Sequence, residues 1–269
     1  SGGIWGDPYR ATRIRELLLG RSVHDAASMR RLQLDVRSAF ARRHRPDAVR
    51  AFRDAGLDSA AAALEGWSLA ADRKSRDATL FYAWIDALRE ALRERLYGGE
   101  GGYLPLVAVT RMLEGESPDA EDLPAAAAAE ALEAAGGRRW GEVHRLVLDH
   151  PLREAPVVGG LFGFGRGPLP RSGAHHTVNV ADFSSGLPFR VRTGPSQRHV
   201  SDLADPDGAG AFILPGGQSG LPGDAHAWDQ LERWRRGELW TLPLDRDAVE
   251  ARASSRFRLV PTGGKARAP

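Results

Sequence analysis

Residues 125–150 read AAAAAEALEAAGGRRWGEVHRLVLDH, and the texture of the chain changes inside them. The alanine run and the Glu and Leu residues after it are helix formers, and Gly136-Gly137 ends the run. Past the glycines, Trp140 to Leu148 reads as a strand with Leu146 and Leu148 on one face. Working back from this boundary, apolar residues recur at helical spacing. The strongest helix is Ser75 to Tyr97, whose inward face carries Phe81, Trp84, Ile85, Leu88, Leu92 and Leu96. Leu104 to Leu113 and Asp119 to Ala135 are also helical. Nearer the start, Asp7 is a natural N-cap with Pro8 at the first helical position, and Gly20 ends that helix. Ser22 caps a second helix with Asp25 three residues on, its stripe running Ala26, Met29, Leu32, Val36, Phe40, and Pro46 opens a third with Val49 and Phe52.

Working forward from the boundary, Gly159 to Pro170 is a glycine-rich loop. Short strands follow at Thr177 to Phe183, Phe189 to Arg192, His199 to Leu203 and Phe212 to Leu214. A helix at Ala225 to Arg236, a short one at Asp245 to Ala251 and a last strand at Phe257 to Val260 complete the pattern. Helices first and antiparallel strands after them make an α+β protein: a helical segment 1–137, a β-rich segment 138–261 with one helix at 225–236, and a disordered tail 262–269.

Composition excludes several functions. The 269 residues contain no Cys, so thiol catalysis, disulfides and Cys-ligated metals are out. A sequence pI near 9.3 suggests nucleic acid, but 37 basic residues face 35 acidic ones and are spread among them rather than gathered in a stripe. No nucleic-acid partner is expected. No apolar run approaches the roughly 20 residues of a membrane span. The close histidine pairs, His144/His150 and His175/His176, lack the spacing of a metal site, so no metal or cofactor is expected. Gly163 to Gly167 lacks the spacing of a phosphate loop, and Gly217-Gln-Ser-Gly220 followed by Leu221 is not a serine-hydrolase elbow. Ser1 could act as nucleophile with its own α-amine as base, a chemistry that also needs an oxyanion donor such as an Asn amide. The chain has one Asn, Asn179, set in a strand-like run.

Four stretches, in order along nearly the whole chain, resemble the penicillin acylase family of N-terminal-nucleophile hydrolases. They are Asp7-Pro-Tyr-Arg-Ala-Thr-Arg-Ile-Arg-Glu-Leu-Leu18 with Leu32-Gln-Leu-Asp35 and Ser38, and Trp140-Gly-Glu-Val-His-Arg-Leu146 with His150-Pro151. The others are Thr177-Val-Asn179 with Gly194-Pro-Ser196 and Arg198, and Leu214-Pro-Gly-Gly-Gln-Ser-Gly220 leading to Asp229-Gln-Leu231 and Trp234. The resemblance implies an amidohydrolase without cofactor, cut from a precursor into α and β subunits that form an αββα sandwich. This chain would be the C-terminal half of the β subunit, and its partners the α subunit and the N-terminal part of β. The nucleophilic Ser and the oxyanion Asn would then precede residue 1, which makes Ser1 a fragment end and the isolated chain inactive. The resemblance also implies a small N-acyl amide substrate, such as a β-lactam or an acyl-homoserine lactone, and a periplasmic or secreted enzyme.

The same resemblance assigns Arg10 the role of the Arg that orders the oxyanion site. Its own position agrees: a cation in the first turn opposes the helix dipole by roughly a few tenths of a kcal/mol, which suggests another use for the guanidinium. The alternative is a surface arginine in an Arg-rich chain. Arg13 reads as an ordinary helix residue, Gln33 and Asp35 as ties to backbone between helices, and Asn179 as strand-end geometry. The competing reading of the whole chain is a stand-alone helical and β module that binds a partner and does no chemistry.

Overall fold

The computed structural model describes residues 8–258, apart from 99–101, 117, 156, 158–160, 163 and 222. Ser1, Asp7, Leu259-Val260 and the tail therefore lie outside the described residues, as does Gly163. The fold is α+β. Eight helices come first: α1 (Tyr9–Leu19), α2 (Ala26–Gln33), α3 (Ala39–Asp54), α4 (Asp58–Gly66), α5 (Arg76–Tyr97), α6 (Leu106–Arg111), α7 (Leu123–Ala135) and α8 (Trp140–Val143). None of the described helices is long and apolar enough to cross a membrane.

The helix α5 forms where its periodicity predicts. The Ser75 hydroxyl caps it by accepting from the Ala78 amide at 3.0 Å, and Gly98, at φ 61°, ends it. It packs chiefly against α7, whose buried face is Ala127, Ala128, Ala131 and Ala135. Small side chains let the two backbones approach, and the indole of Trp84 donates to the Pro124 carbonyl at 3.0 Å. One apolar cluster joins these helices to Trp67, Phe40 and Phe52, and takes in Ala174 and Phe189 from the later half.

Several boundaries differ from the sequence reading. The stripe from Ala26 to Phe40 belongs to two helices: α2 stops at Gln33, and Asp25, not Ser22, caps it in a reciprocal box with Ser28. Ser38 then starts α3, so Pro46 lies inside a helix rather than opening one. It is tolerated because Pro46 and Arg42, whose carbonyl loses its partner, are both on the exposed face. Helix α4 went unread because alanines give it almost no apolar pattern; Leu64 is its one large buried residue.

The strands are β1 (His144–Leu148), β2 (Arg166–Pro170), β3 (Asp182–Phe183), β4 (Phe189–Thr193), β5 (Arg198–Val200), β6 (Ala211–Ile213) and β7 (Trp240–Thr241). They form a four-stranded sheet in the order β2-β1-β4-β3 and a three-stranded sheet β5-β6-β7. The β1–β4 pair is parallel and the other pairs are antiparallel, so the first sheet is mixed rather than purely antiparallel. Trp140 to Leu148 is not one strand, because Glu142 accepts from the Arg139 amide at 2.6 Å and closes a helical turn before β1 begins. Nor does the expected loop reach Pro170: its end is β2, where two prolines are tolerated because the strand lies at the sheet edge. Only Asp182–Phe183 of the expected strand from Thr177 is extended pairing, and the helix from Ala225 is confined to Leu231–Arg236. A second apolar cluster, with Leu146, Val191, Ile213, Leu231 and Trp234, joins the sheets to the Leu231–Arg236 helix.

Candidate active site around Arg10

Helix α1 has no buried residue, so polar contacts do much to fix its place. Arg10, exposed in its first turn, donates from Nη2 to the carbonyl of His175 at 2.7 Å. The partner is 165 residues away in a turn at 174–181, and the contact is therefore a product of the fold. Arg13 is not the ordinary helix residue the sequence suggests. Its Nε and Nη2 donate to the two carboxylate oxygens of Asp35 at 2.9 and 2.7 Å, a bidentate pair with both side chains about five-sixths covered. Asp35 thus binds a side chain first, and backbone second, through the Arg37 amide at 3.2 Å. Gln33 does bond backbone, donating to the His199 carbonyl at 3.0 Å.

The turn that receives Arg10 is pinned on all sides. The Asn179 amide donates to the Asp35 carbonyl at 2.9 Å and the Gly173 amide to the Ala71 carbonyl at 2.8 Å. The buried Thr177 hydroxyl accepts from the Ala174 amide at 2.9 Å. Gly173 sits at φ 97°, and a Cβ there would lie 2.1 Å from the Asn179 carbonyl oxygen. Gly173→Ala is accordingly expected to cost more than the roughly 1–3 kcal/mol of positive φ alone, since the clash adds to it. Thermal unfolding checks this, and an unchanged melting temperature would show that the turn can relax.

Beside Arg10 a cleft of about 810 Å³ opens, its floor including Ile14, Leu106 and Phe183. Four arginines line it. Arg89 pairs with Asp86 at 2.8 Å, and Arg190 and Arg192 share Asp149, each at 3.1 Å. Arg10 alone of the four makes no ion pair with a carboxylate among the described residues, although its charge acts on the Asp182 carboxyl across the cleft lining. The His175 ring lies against Phe183, tilted by 32° with centroids 4.0 Å apart, and hydrogen-bonds Asp182 through Nδ1. That imidazole holds the Asp182 carboxyl below the usual range. The sequence reading missed this dyad, because in sequence His175 stands out only as half of a possible metal pair and Asp182 falls inside the strand expected from Thr177.

Asn179 sits behind the turn. Its Oδ1 accepts from Arg171 Nη2 at 2.8 Å and Arg198 Nη2 at 3.0 Å, and both guanidiniums lie over the Trp234 ring, at 4.5 and 4.9 Å. Burial pushes Arg171 down to about 9 and Arg198 to about 10. None of these three residues, Asn179, Arg171 and Arg198, lines the cleft. His144 lies between the carbonyls of Arg171 and Ala181, stacked on Trp140. Among the described residues, no group of three or more His, Asp or Glu is placed to hold a metal ion.

Comparison with known proteins places the chain. Its residues 1–251 match the family model described as penicillin amidase. Similar curated proteins are the acyl-homoserine lactone acylases QuiP of Pseudomonas syringae pv. syringae (strain B728a) and of Pseudomonas aeruginosa (strain PAO1). The first is 31% identical across 47% of this chain and 15% of its own length. The second is 26% identical across 89% of this chain and 35% of its own length. This chain belongs to the penicillin amidase family. It spans about a third or less of the length of the curated relatives it matches.

Proposed function

We propose that this chain is the C-terminal part of the β subunit of an amidohydrolase that cleaves linear N-acyl amides. The nucleophile would be an N-terminal Ser carried by a part of the protein outside this sequence. Its hydroxyl adds to the amide carbonyl as its α-amine takes the proton. The amine product leaves with that proton, and water then releases the acid from the acyl-enzyme. Arg10 serves by holding the oxyanion donor in place, and the cleft beside it receives substrate. N-acyl homoserine lactones are the favoured substrate class, because the relatives are named for them. An α subunit, the rest of β, an αββα arrangement and export from the cytoplasm complete the reading.

The observation that carries it is Arg10 itself: aimed by one hydrogen bond, at the rim of a cleft, and in no ion pair with a carboxylate among the described residues. A substitution in the full-length protein tests it. Arg10→Lys keeps the charge but loses the planar fork of donors, and kcat on octanoyl homoserine lactone is expected to fall by about 10²-fold, as when an oxyanion-site donor is lost. Arg15→Lys, exposed on the same helix, is the control and is expected to be silent. Equal, small effects from the two would reduce Arg10 to a surface cation.

A further inference from the structure

We propose that Asp35 is a positioning residue for the Arg10 guanidinium, holding α1 with its side chain and the His175 turn with its backbone. The inference rests on the role given to Arg10 above.

Two arms leave Asp35. The carboxylate takes Arg13 in a two-point grip at 2.9 and 2.7 Å, and Arg13 is three residues from Arg10, nearly one helical turn along the same face. The carbonyl takes the Asn179 amide at 2.9 Å, and Asn179 shares its turn with His175, whose own carbonyl receives Arg10 at 2.7 Å. The path from Arg10 through His175, Asn179, Asp35 and Arg13 back to Arg10 is a closed ring, and Asp35 is its one member that belongs to neither the helix nor the turn and holds both. A fork held at two points fixes the rotation of α1 about its axis, which a single contact cannot do. The helix needs this, having no buried residue of its own. A second two-point grip, Arg42 of α3 on Glu16 at 3.1 and 2.5 Å, and the Tyr9 ring, edge-on against Phe40 at 5.4 Å, dock α1 on α3. The Arg13–Asp35 grip ties it instead to the residue that holds the turn, and its loss leaves α1 docked on α3 but uncoupled from that residue.

The test uses the full-length protein and four variants: Arg10→Lys, Asp35→Asn, their combination, and Arg13→Gln, which releases the same grip from the helix side. Asp35→Asn and Arg13→Gln are each expected to lower kcat by about tenfold with KM nearly unchanged, the cost of a misaimed group. In the Arg10→Lys background, Asp35→Asn is expected to lower kcat no further, because a residue acting through another has nothing left to act on. Independent effects that multiply in the double variant would overturn the proposal. So would wild-type kcat in both Asp35→Asn and Arg13→Gln, or kcat losses that follow thermal stability across the set. Wild-type turnover by Arg10→Lys would instead sink the assignment of Arg10. Absence of N-acyl amide hydrolysis in the unmutated protein would remove the proposed function and this inference together.

Discussion

Asn179→Leu is expected to destabilise the protein by about 3–6 kcal/mol, the sum of two charge-assisted hydrogen bonds at about 1.5–3 kcal/mol each. The single carboxamide oxygen is the acceptor shared by Arg171 and Arg198, both nearly fully buried and without a carboxylate partner among the described residues. Leucine fills the space and supplies no acceptor. Arg171 would then keep only the face of Trp234, and Arg198 that face and the Trp234 carbonyl at 2.7 Å. A buried cation that loses its partner retains its full desolvation cost. Asn179→Asp is the opposite case: it sets a carboxylate between two guanidiniums and is expected to match or exceed wild-type stability. Denaturant unfolding followed by tryptophan fluorescence reads both. A leucine variant within about 1 kcal/mol of wild type, the size of one ordinary hydrogen bond, would mean that Trp234 alone suffices for the two cations.

Acidification is the second large effect. Burial pushes His144 down to about 3 and His176 to about 4, each from an ordinary value of 6.5. Folding holds both imidazoles neutral, so between the folded and ordinary values the unfolded chain binds more protons. The stabilisation is complete above pH 6.5 and is lost as the pH falls through that window, ending near pH 4 for His176 and near pH 3 for His144. Each histidine contributes about 1.4 kcal/mol per pH unit, so the pair is expected to remove roughly 4 kcal/mol between pH 6.5 and pH 5. Asp182, held low by His175, adds its loss only below the ordinary carboxylate range. Unfolding free energies at pH 7 and pH 5 measure the slope. A flat profile would show that the fold admits the protonated rings, for which the two carbonyls around His144 are already placed as acceptors.

Local rules carried the sequence reading as far as local physics decides. Ser75, Gly98 and the apolar spacing between them delimit α5 because caps and periodicity act within a few residues. They misled at Phe40 and Pro46, where a continuous stripe hid a break and a proline on the wet face broke nothing. The sheets were harder. Strand β2 exists because β1 offers it an edge, and its two prolines argue against a strand in any isolated window. At the site, Arg10 and Arg13 look alike in sequence, one turn apart on one helix. Their difference lies in Asp35 and His175, 22 and 165 residues away, and no composition or spacing reveals those partners. Resemblance picked out Arg10, and only the fold shows what holds it.

The parallel β1–β4 pair has a consequence for how the chain assembles. After β1 is made, β2 can return to it directly, but two strands alone are barely stable in water. The other neighbour of β1 starts at Phe189, beyond β2, the Arg10-binding turn and β3. Parallel strands cannot be joined by a tight hairpin, so this crossover must close a long loop before the contacts reward it. A chain emerging from the ribosome can thus build α3, α5 and α7 early, while β1 waits for Thr193. The turn that receives Arg10 lies within the waiting loop, and the candidate site is set among the late events of folding.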